Sequence, residues 1–121
     1  MTLFSNIAVL VVALLHLYFL VLEMFLWNKP VGRRIFRLTP EFAQASAALA
    51  ANQGLYNGFL AAGLLWGLGL GAAGFGIKVF FLGCVIVAGV YGAFTVSRRI
   101  FWVQAFPGVL ALVLVLTTSG T

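Results

Sequence analysis

Residues 3–27 read LFSNIAVLVVALLHLYFLVLEMFLW, an almost unbroken apolar run. An α-helix needs about 17–25 residues of this kind to cross a hydrocarbon core about 30 Å thick, so the run predicts a membrane-spanning helix. Two ionisable residues interrupt it, His16 and Glu23. Ionisable groups inside a membrane are costly and by default mark a functional site. This stretch therefore decides the fold and also supplies the first candidate site.

The chain as a whole has the composition of an integral membrane protein. Hydrophobic residues make up 64% of its 121 residues and charged residues 7%, too few charges to cover the surface of a soluble domain. We therefore predict an all-α fold in which residues 1–121 form one membrane domain, a four-helix bundle. Its predicted spans cover residues 3–27, 47–70, 77–96 and 100–116.

The basic residues predict the orientation of these spans. Six of the seven lie in the connections that follow the first and third spans: Lys29, Arg33, Arg34, Arg37, Arg98 and Arg99. Lys78 lies on the opposite side. Because positively charged loops stay in the cytoplasm, both termini are expected on the extracytoplasmic side, with the lipid bilayer as the surrounding partner.

Two connections carry local signals of their own. Thr39, Pro40 and Glu41 combine an N-cap residue, a proline suited to the first helical position and an acid in the first turn. The second long helix is therefore expected to begin near Pro40, before it enters the membrane. Residues 67–76 are rich in glycine and predict a tight hairpin between the second and third spans.

Polar residues of all four predicted spans fall at a similar depth. With a rise of about 1.5 Å per residue, His16 lies near the midplane and Glu23 about 10 Å closer to the cytoplasm. The residues expected in the same cytoplasmic half as Glu23 are Asn52, Gln53, Tyr56, Asn57, Tyr91, Thr95 and Gln104. The sequence thus predicts a ligand-binding polar chamber that opens toward the cytoplasm and is closed toward the outside.

Glu23 and His16 are the candidate catalytic residues. Seven positions apart, they return to nearly the same helix face, but an axial rise of about 10.5 Å is too long for a direct hydrogen bond. They can act on two ends of one ligand, or relay a proton through water. The alternative is that each side chain bonds to a neighbouring helix and only fixes the packing.

Residues 52–58, NQGLYNG, are the most unusual heptad in the chain. Polar residues at i,i+4 spacing predict a ligand-binding stripe, namely Asn52, Gln53, Tyr56 and Asn57. Small residues on the opposite stripe let another helix approach closely; they are Ala50, Gly54, Gly58 and Ala62. The alternative reading is that the polar groups join helices, each bond contributing about 1 kcal/mol or less in a membrane.

The last two spans carry three further candidates. Tyr91 and Thr95 can complete the wall of the chamber, or Thr95 can bond to its own helix backbone. Gln104 precedes Pro107, which lacks a backbone donor and is expected to loosen the last helix locally. Tryptophans near the span ends fit an aromatic belt at the membrane surface; they are Trp27, Trp66 and Trp102.

Several classes of function are disfavoured. One histidine, two acids and the lone Cys84 do not supply a metal site or a disulfide framework. No nucleotide-binding or haem-attachment motif is present, so no cofactor is assigned. The net charge of +5 is explained by membrane topology, and no nucleic-acid partner is expected.

A resemblance adds to this picture. His16, the segment EMFLW at 23–27 and the segment NQGLYNGFL at 52–60 resemble a family of small bacterial membrane proteins, about this long, classed as a domain of unknown function. The resemblance implies four spans and a bacterial inner membrane, and it supplies no activity. A looser similarity to four-helix bundles of the DoxX type concerns architecture alone.

Three functions fit the residues. The first is binding of a lipophilic small molecule in the chamber, with acid–base chemistry at Glu23. The second is a non-enzymatic subunit of a membrane complex, and self-association through small residues is a related expectation at Gly63, Gly67, Gly83 and Gly89. The third is a small proton-coupled transporter. Small multidrug exporters share the four-span size and a first-helix glutamate, but the strong charge bias here disfavours their mixed orientation.

Overall fold

The computed structural model of the protein describes residues 2–118, which are almost entirely helical. Its elements are α1 (Thr2–Met24), α2 (Pro30–Phe36), α3 (Pro40–Gly69), a 3₁₀ helix (Gly71–Gly74), α4 (Phe75–Thr95), a π-helical turn (Phe101–Ala105) and α5 (Phe106–Thr118). Between residues 2 and 118 there is no β-strand. The predicted all-α fold is confirmed.

Three helical stretches in this part of the chain are long and apolar enough to cross a membrane: Thr2–Met24, Gly71–Thr95 and Phe101–Thr118. They indicate a membrane protein. α3 has 30 residues and is long enough, but it is not among the three. Its central amides, Asn52, Gln53 and Asn57, lower its hydropathy.

The described residues form two compact units. The first unit contains the residues up to Leu14 and those from Leu60 onward, and the second contains Leu15–Phe59. The boundaries between the units fall inside α1 and inside α3.

The first unit has an aliphatic core to which α1, α3, α4 and α5 all contribute. Its buried members are Val9, Val12, Ala13, Leu64, Leu82, Val85, Ala111 and Val115. Where lipid surrounds helices, their association depends on close van der Waals packing, because lipid tails are as apolar as the side chains themselves. Interdigitation of these small and medium side chains is therefore the main source of stability in this unit.

The 3₁₀ helix forms the connection between α3 and α4. Gly74 lies against the carbonyl group of Gly67 so closely that a Cβ at Gly74 would collide with that backbone. Gly71 has a φ of 62°, in the left-handed region that favours glycine. Both positions therefore need glycine, in agreement with the turn predicted from residues 67–76.

The π-helical turn precedes Pro107. The N–H of Phe106 donates to the carbonyl oxygen of Phe101, one residue further back than in an α-helix. Pro107 has no N–H to continue the regular pattern. The predicted local loosening of the last helix is confirmed, and it takes the form of this wider turn.

The beginning of α3 matches its sequence signals. The N–H of Phe42 donates to Thr39 Oγ1 at 3.2 Å, so Thr39 caps the helix. Pro40 is the first helical residue and Glu41 lies in the first turn. An acidic side chain there is favoured by the positive end of the helix dipole.

The short helix α2 was not predicted from the sequence. Pro30 lies at its beginning, and Arg37 ends it in the left-handed conformation with a φ of 56°. Next to it, Trp27 Nε1 donates to Ser46 Oγ at 3.0 Å, and the rings of Trp27 and Phe36 are 4.8 Å apart. Trp27, in the connection between α1 and α2, therefore links α2 to α3, in addition to the aromatic-belt position predicted for it.

Trp27→Phe is expected to lower the free energy of unfolding by about 1 kcal/mol, because it removes one part-buried hydrogen bond and keeps most of the ring. Unfolding by SDS in mixed micelles, followed by circular dichroism, measures the change. Trp66→Phe is the matched control, since Trp66 is 59% exposed. Equal losses in the two variants would show that the bond to Ser46 is not stabilising.

Candidate functional site

The second unit brings Glu23, near the end of α1, against the middle of α3. Asn57 Nδ2 donates a hydrogen bond to Glu23 Oε1. Both side chains are half-buried. Within residues 2–118, the other carboxyl oxygen of Glu23, Oε2, accepts no hydrogen bond. The pair therefore keeps one strong acceptor for another molecule.

Small residues on α3 allow this pairing. A Cβ at Gly54 would lie 3.1 Å from Glu23 Cβ, and one at Gly58 would lie 2.7 Å from Leu20 Cδ1. Because both positions lack a side chain, α1 and α3 approach closely in the second unit. The short side chain of Asn57 can then reach the carboxyl group.

The two stripes predicted on α3 need a correction. The i,i+4 spacing predicts Asn57 beside Gln53 on the stripe opposite the small residues, but Asn57 lies on the packed face together with Gly54 and Gly58. Ala62, predicted on the packed stripe, is exposed. At about 100° per residue, Asn57 falls closer to Gly54 than to the centre of the polar stripe, so helix geometry explains the change.

The rest of the polar stripe is exposed. Asn52, Gln53 and Tyr56 all lie at the surface, and Tyr56 is 49% exposed. Asn52 Nδ2 donates to the hydroxyl of Tyr56 at 3.2 Å, and the Tyr56 ring is 6.1 Å from that of Phe59. These side chains offer amide and phenol groups next to an aromatic surface. They remain candidate ligand contacts.

His16 has different surroundings. It is fully buried, and its ring meets Phe19 edge-on at 5.4 Å with an interplanar angle of 72°. Such burial favours the packing role that the sequence left open. A catalytic role for His16 stays a prediction.

The remaining predicted site residues belong to the first unit, where two of them have structural contacts. Thr95 Oγ1 donates to the backbone oxygen of Tyr91 at 2.7 Å, the alternative that the sequence offered. Gln104 Nε2 donates to the backbone oxygen of Val85 at 3.1 Å and so joins the π-helical turn to α4. Tyr91 is 71% exposed. A ligand-binding role for these three residues stays a prediction.

Glycines expected to mediate self-association are largely used inside the first unit. Gly63 packs against the Phe81 ring, Gly67 against Lys78, and Gly89 against Ala105. Gly83 has open space around it and lies on an exposed apolar face of α4. Of the four, Gly83 is the one that leaves room for a second helix.

Comparison with known proteins places the chain in a family. The model of a protein family described as "Protein of unknown function (DUF1304)" matches residues 10–116. The chain belongs to this family. Over 115 residues it is 31% identical to the uncharacterised protein YpaA of Lactococcus lactis subsp. lactis (strain IL1403), covering 93% of this chain and 97% of that protein. No solved structure matches it.

The family assignment confirms the resemblance that the sequence indicated, to a bacterial family of small proteins of unknown function. The matched range of DUF1304 includes Glu23 and Asn57. Neither the family description nor the name of the relative supplies an activity. Function has to be argued from the chemistry of the site.

Proposed function

We propose that this DUF1304 protein is a four-span protein of the bacterial inner membrane that binds a lipophilic small molecule by its polar head. In this proposal α3 is the remaining span, and the Glu23–Asn57 pair holds the head group. The exposed residues Asn52, Gln53 and Tyr56 extend the binding surface. A quinone, an isoprenoid or a lipid-like metabolite has the required combination of polar head and apolar tail.

The observation that carries the proposal is the state of the Glu23 carboxyl group. It lies in an apolar helix, half-buried, with Oε1 bonded to Asn57 and Oε2 without a protein donor within residues 2–118. Oε2 keeps accessible surface, and a carboxyl oxygen that faces hydrocarbon without a donor costs several kcal/mol. A ligand hydroxyl or amine that donates to Oε2 would remove this cost.

Acid–base chemistry is the second part of the proposal. A carboxyl group in hydrogen-bond reach of a ligand can give or take a proton, while the amide of Asn57 holds it in place. In this scheme Glu23 is the acid or base, and Asn57 is a positioning residue. A glutamine at position 23 keeps the shape but cannot exchange a proton, and with its one oxygen bonded to Asn57 it presents an amide donor in place of the acceptor Oε2.

Native mass spectrometry of the gently solubilised protein tests the binding. We expect a co-purified small molecule in the wild type and its loss in Glu23→Gln. Glu41→Gln is the matched control, because Glu41 is the other acidic residue of the chain and lies exposed at the start of α3. A ligand that survives Glu23→Gln as well as it survives the control would contradict the proposal.

A subunit role is the second candidate, and one observation favours it. Asn52, Gln53 and Tyr56 are polar and exposed in the middle of a helix proposed to lie in the membrane. A partner helix would satisfy them as well as a ligand would. The same spectra decide between the two, because a co-purified polypeptide lost in Gln53→Leu would indicate a complex.

A further inference from the structure

A second polar site lies in the first unit, around Lys78. A cavity of about 190 Å³ is lined by residues from the beginning of α1, the 3₁₀ helix, the first turn of α4 and the end of α5. This volume is several times the roughly 30 Å³ that one water molecule occupies in the liquid. The polar residues of its wall are Thr2, Ser5, Asn6, Lys78 and Thr118. All of them belong to the first unit.

Lys78 is the unusual member of this wall. Its side chain is only 8% exposed, and within the described residues it has neither a hydrogen bond nor an ion pair. A lysine at a span end normally extends its amino group to the membrane surface. Most of the Lys78 side chain is buried instead, while its unpaired amino group keeps some accessible surface. A charge in a membrane is expensive unless a partner compensates it.

The stem of Lys78 is held in place. A Cβ at Gly67 would lie 2.7 Å from Lys78 Cγ, so the glycine makes room for the lysine stem. The aliphatic part of the side chain is thus packed against α3, and Lys78 lines the cavity. This arrangement resembles a positioned binding group and differs from a flexible surface lysine.

The other groups of the wall suit a negative ligand. α1 begins at Thr2 and α4 at Phe75, so the first turns of two long helices contribute to the same cavity. The N–H of Phe75 already donates to the carbonyl oxygen of Ala72, so it is the positive end of the helix dipole that favours an anion here. Ser5 is 3% exposed and, with Asn6, adds hydroxyl and amide donors. Among the residues that the structure describes, no aspartate or glutamate lines the cavity.

We infer that this cavity binds a phosphate group, with Lys78 as its positive partner and Ser5 and Asn6 as additional donors. The phosphate belongs either to the head group of an anionic phospholipid or to free inorganic phosphate, because the recognising groups are the same for both. On the predicted topology the site lies on the extracytoplasmic side. This site is separate from Glu23 and does not depend on the function proposed there.

Lys78→Met removes the charge and keeps an aliphatic stem against Gly67. Its matched control is Lys29→Met, since Lys29 is the other lysine of the chain and is exposed. We expect phosphate binding to weaken about tenfold or more in Lys78→Met, as for the loss of one charge-assisted hydrogen bond, and to be unchanged in Lys29→Met. Ser5→Ala is expected to weaken binding about threefold, and it carries the test if Lys78→Met does not fold.

Two measurements separate the sources of the phosphate. Isothermal titration of the protein in a neutral detergent with inorganic phosphate tests the free ion. Native mass spectrometry after reconstitution into phosphatidylglycerol or phosphatidylcholine nanodiscs tests the lipid. A lipid site is supported if the wild type retains phosphatidylglycerol but not phosphatidylcholine, and if Lys78→Met loses this retention. An ion site is supported if free phosphate binds saturably. Absence of both, or binding that Lys78→Met leaves intact, would overturn the inference.

Discussion

Gly89→Leu is expected to lower the free energy of unfolding by about 3 kcal/mol or more, the largest stability loss we predict in the first unit. A Cβ at Gly89 would lie 2.8 Å from the backbone nitrogen of Ala105 and 3.1 Å from its Cα. Backbone atoms cannot rotate away as the end of a side chain can. The π-helical turn would therefore have to move away from α4, and the bond from Gln104 to the Val85 carbonyl would be lost with it.

The matched control is Gly83→Leu, less than two turns earlier on the same helix, where nothing lies within 4 Å of a Cβ. We expect it to unfold within about 0.5 kcal/mol of the wild type, as surface changes usually do. SDS titration in mixed micelles, followed by circular dichroism, measures both variants. The double variant Gly89→Ala with Ala105→Gly tests whether the clash is with backbone atoms. It removes the contact between the new Cβ and Ala105 Cβ, and it leaves the contacts with the nitrogen and Cα of residue 105. Full recovery of stability in the double variant would contradict the explanation.

The helices were predictable where one local rule decides them. Thr39 and Pro40 fix the start of α3, because capping and the restricted φ of proline act within a few residues. Pro107 predicted an irregular last helix, because a proline also acts within a few residues of its own position. Helix α2 is not predicted from the sequence, because membrane topology alone explains the basic residues from Lys29 to Arg37. Pro30 was the local sign of a helix start.

The sequence was sufficient to predict which residues form the candidate site. It was not sufficient to predict all the contacts that these residues make. Glu23 and the heptad at 52–58 were recognisable because polar and ionisable groups are energetically costly in a membrane-spanning chain. In the structure, Asn57 of that heptad is hydrogen-bonded to Glu23. Which amide turns inward depends on how closely α1 can approach α3, a tertiary property set by Gly54 and Gly58.

The surroundings of Lys78 also depend on tertiary contacts that the sequence does not predict. In the sequence, Lys78 is the one basic residue predicted on the extracytoplasmic side, against six on the cytoplasmic side, and it contributes only to the predicted orientation. Its burial beside the hydroxyl and amide groups of α1 is a long-range arrangement, and no spacing in the sequence indicates it. The available signal was a lysine set directly between apolar residues, Ile77 and Val79, where a surface anchor is unusual.

Gly54→Leu is expected to have the largest effect on the candidate site, because it acts on stability and binding together. A Cβ at Gly54 would already lie 2.6 Å from Met24 Cγ and 3.2 Å from the carbonyl oxygen of Leu20. A leucine would hold α1 and α3 apart within the second unit, at a cost of about 2–3 kcal/mol. The bond between Asn57 and Glu23 would then be out of reach.

Ala45→Leu is the control for Gly54→Leu, since it places the same side chain on an exposed position of α3 in the second unit that the proposed site does not use. We expect Ala45→Leu to keep the stability of the wild type, and Gly54→Leu to lose stability and the co-purified small molecule at once. Gly54→Ala should fall between them, since the end of the Met24 side chain can move while Leu20 O cannot. If Gly54→Leu unfolds like the wild type and still carries the ligand, close approach of α1 and α3 is not what builds the Glu23 site. The binding surface would then have to be sought on the exposed stripe of Asn52, Gln53 and Tyr56, which this substitution leaves untouched.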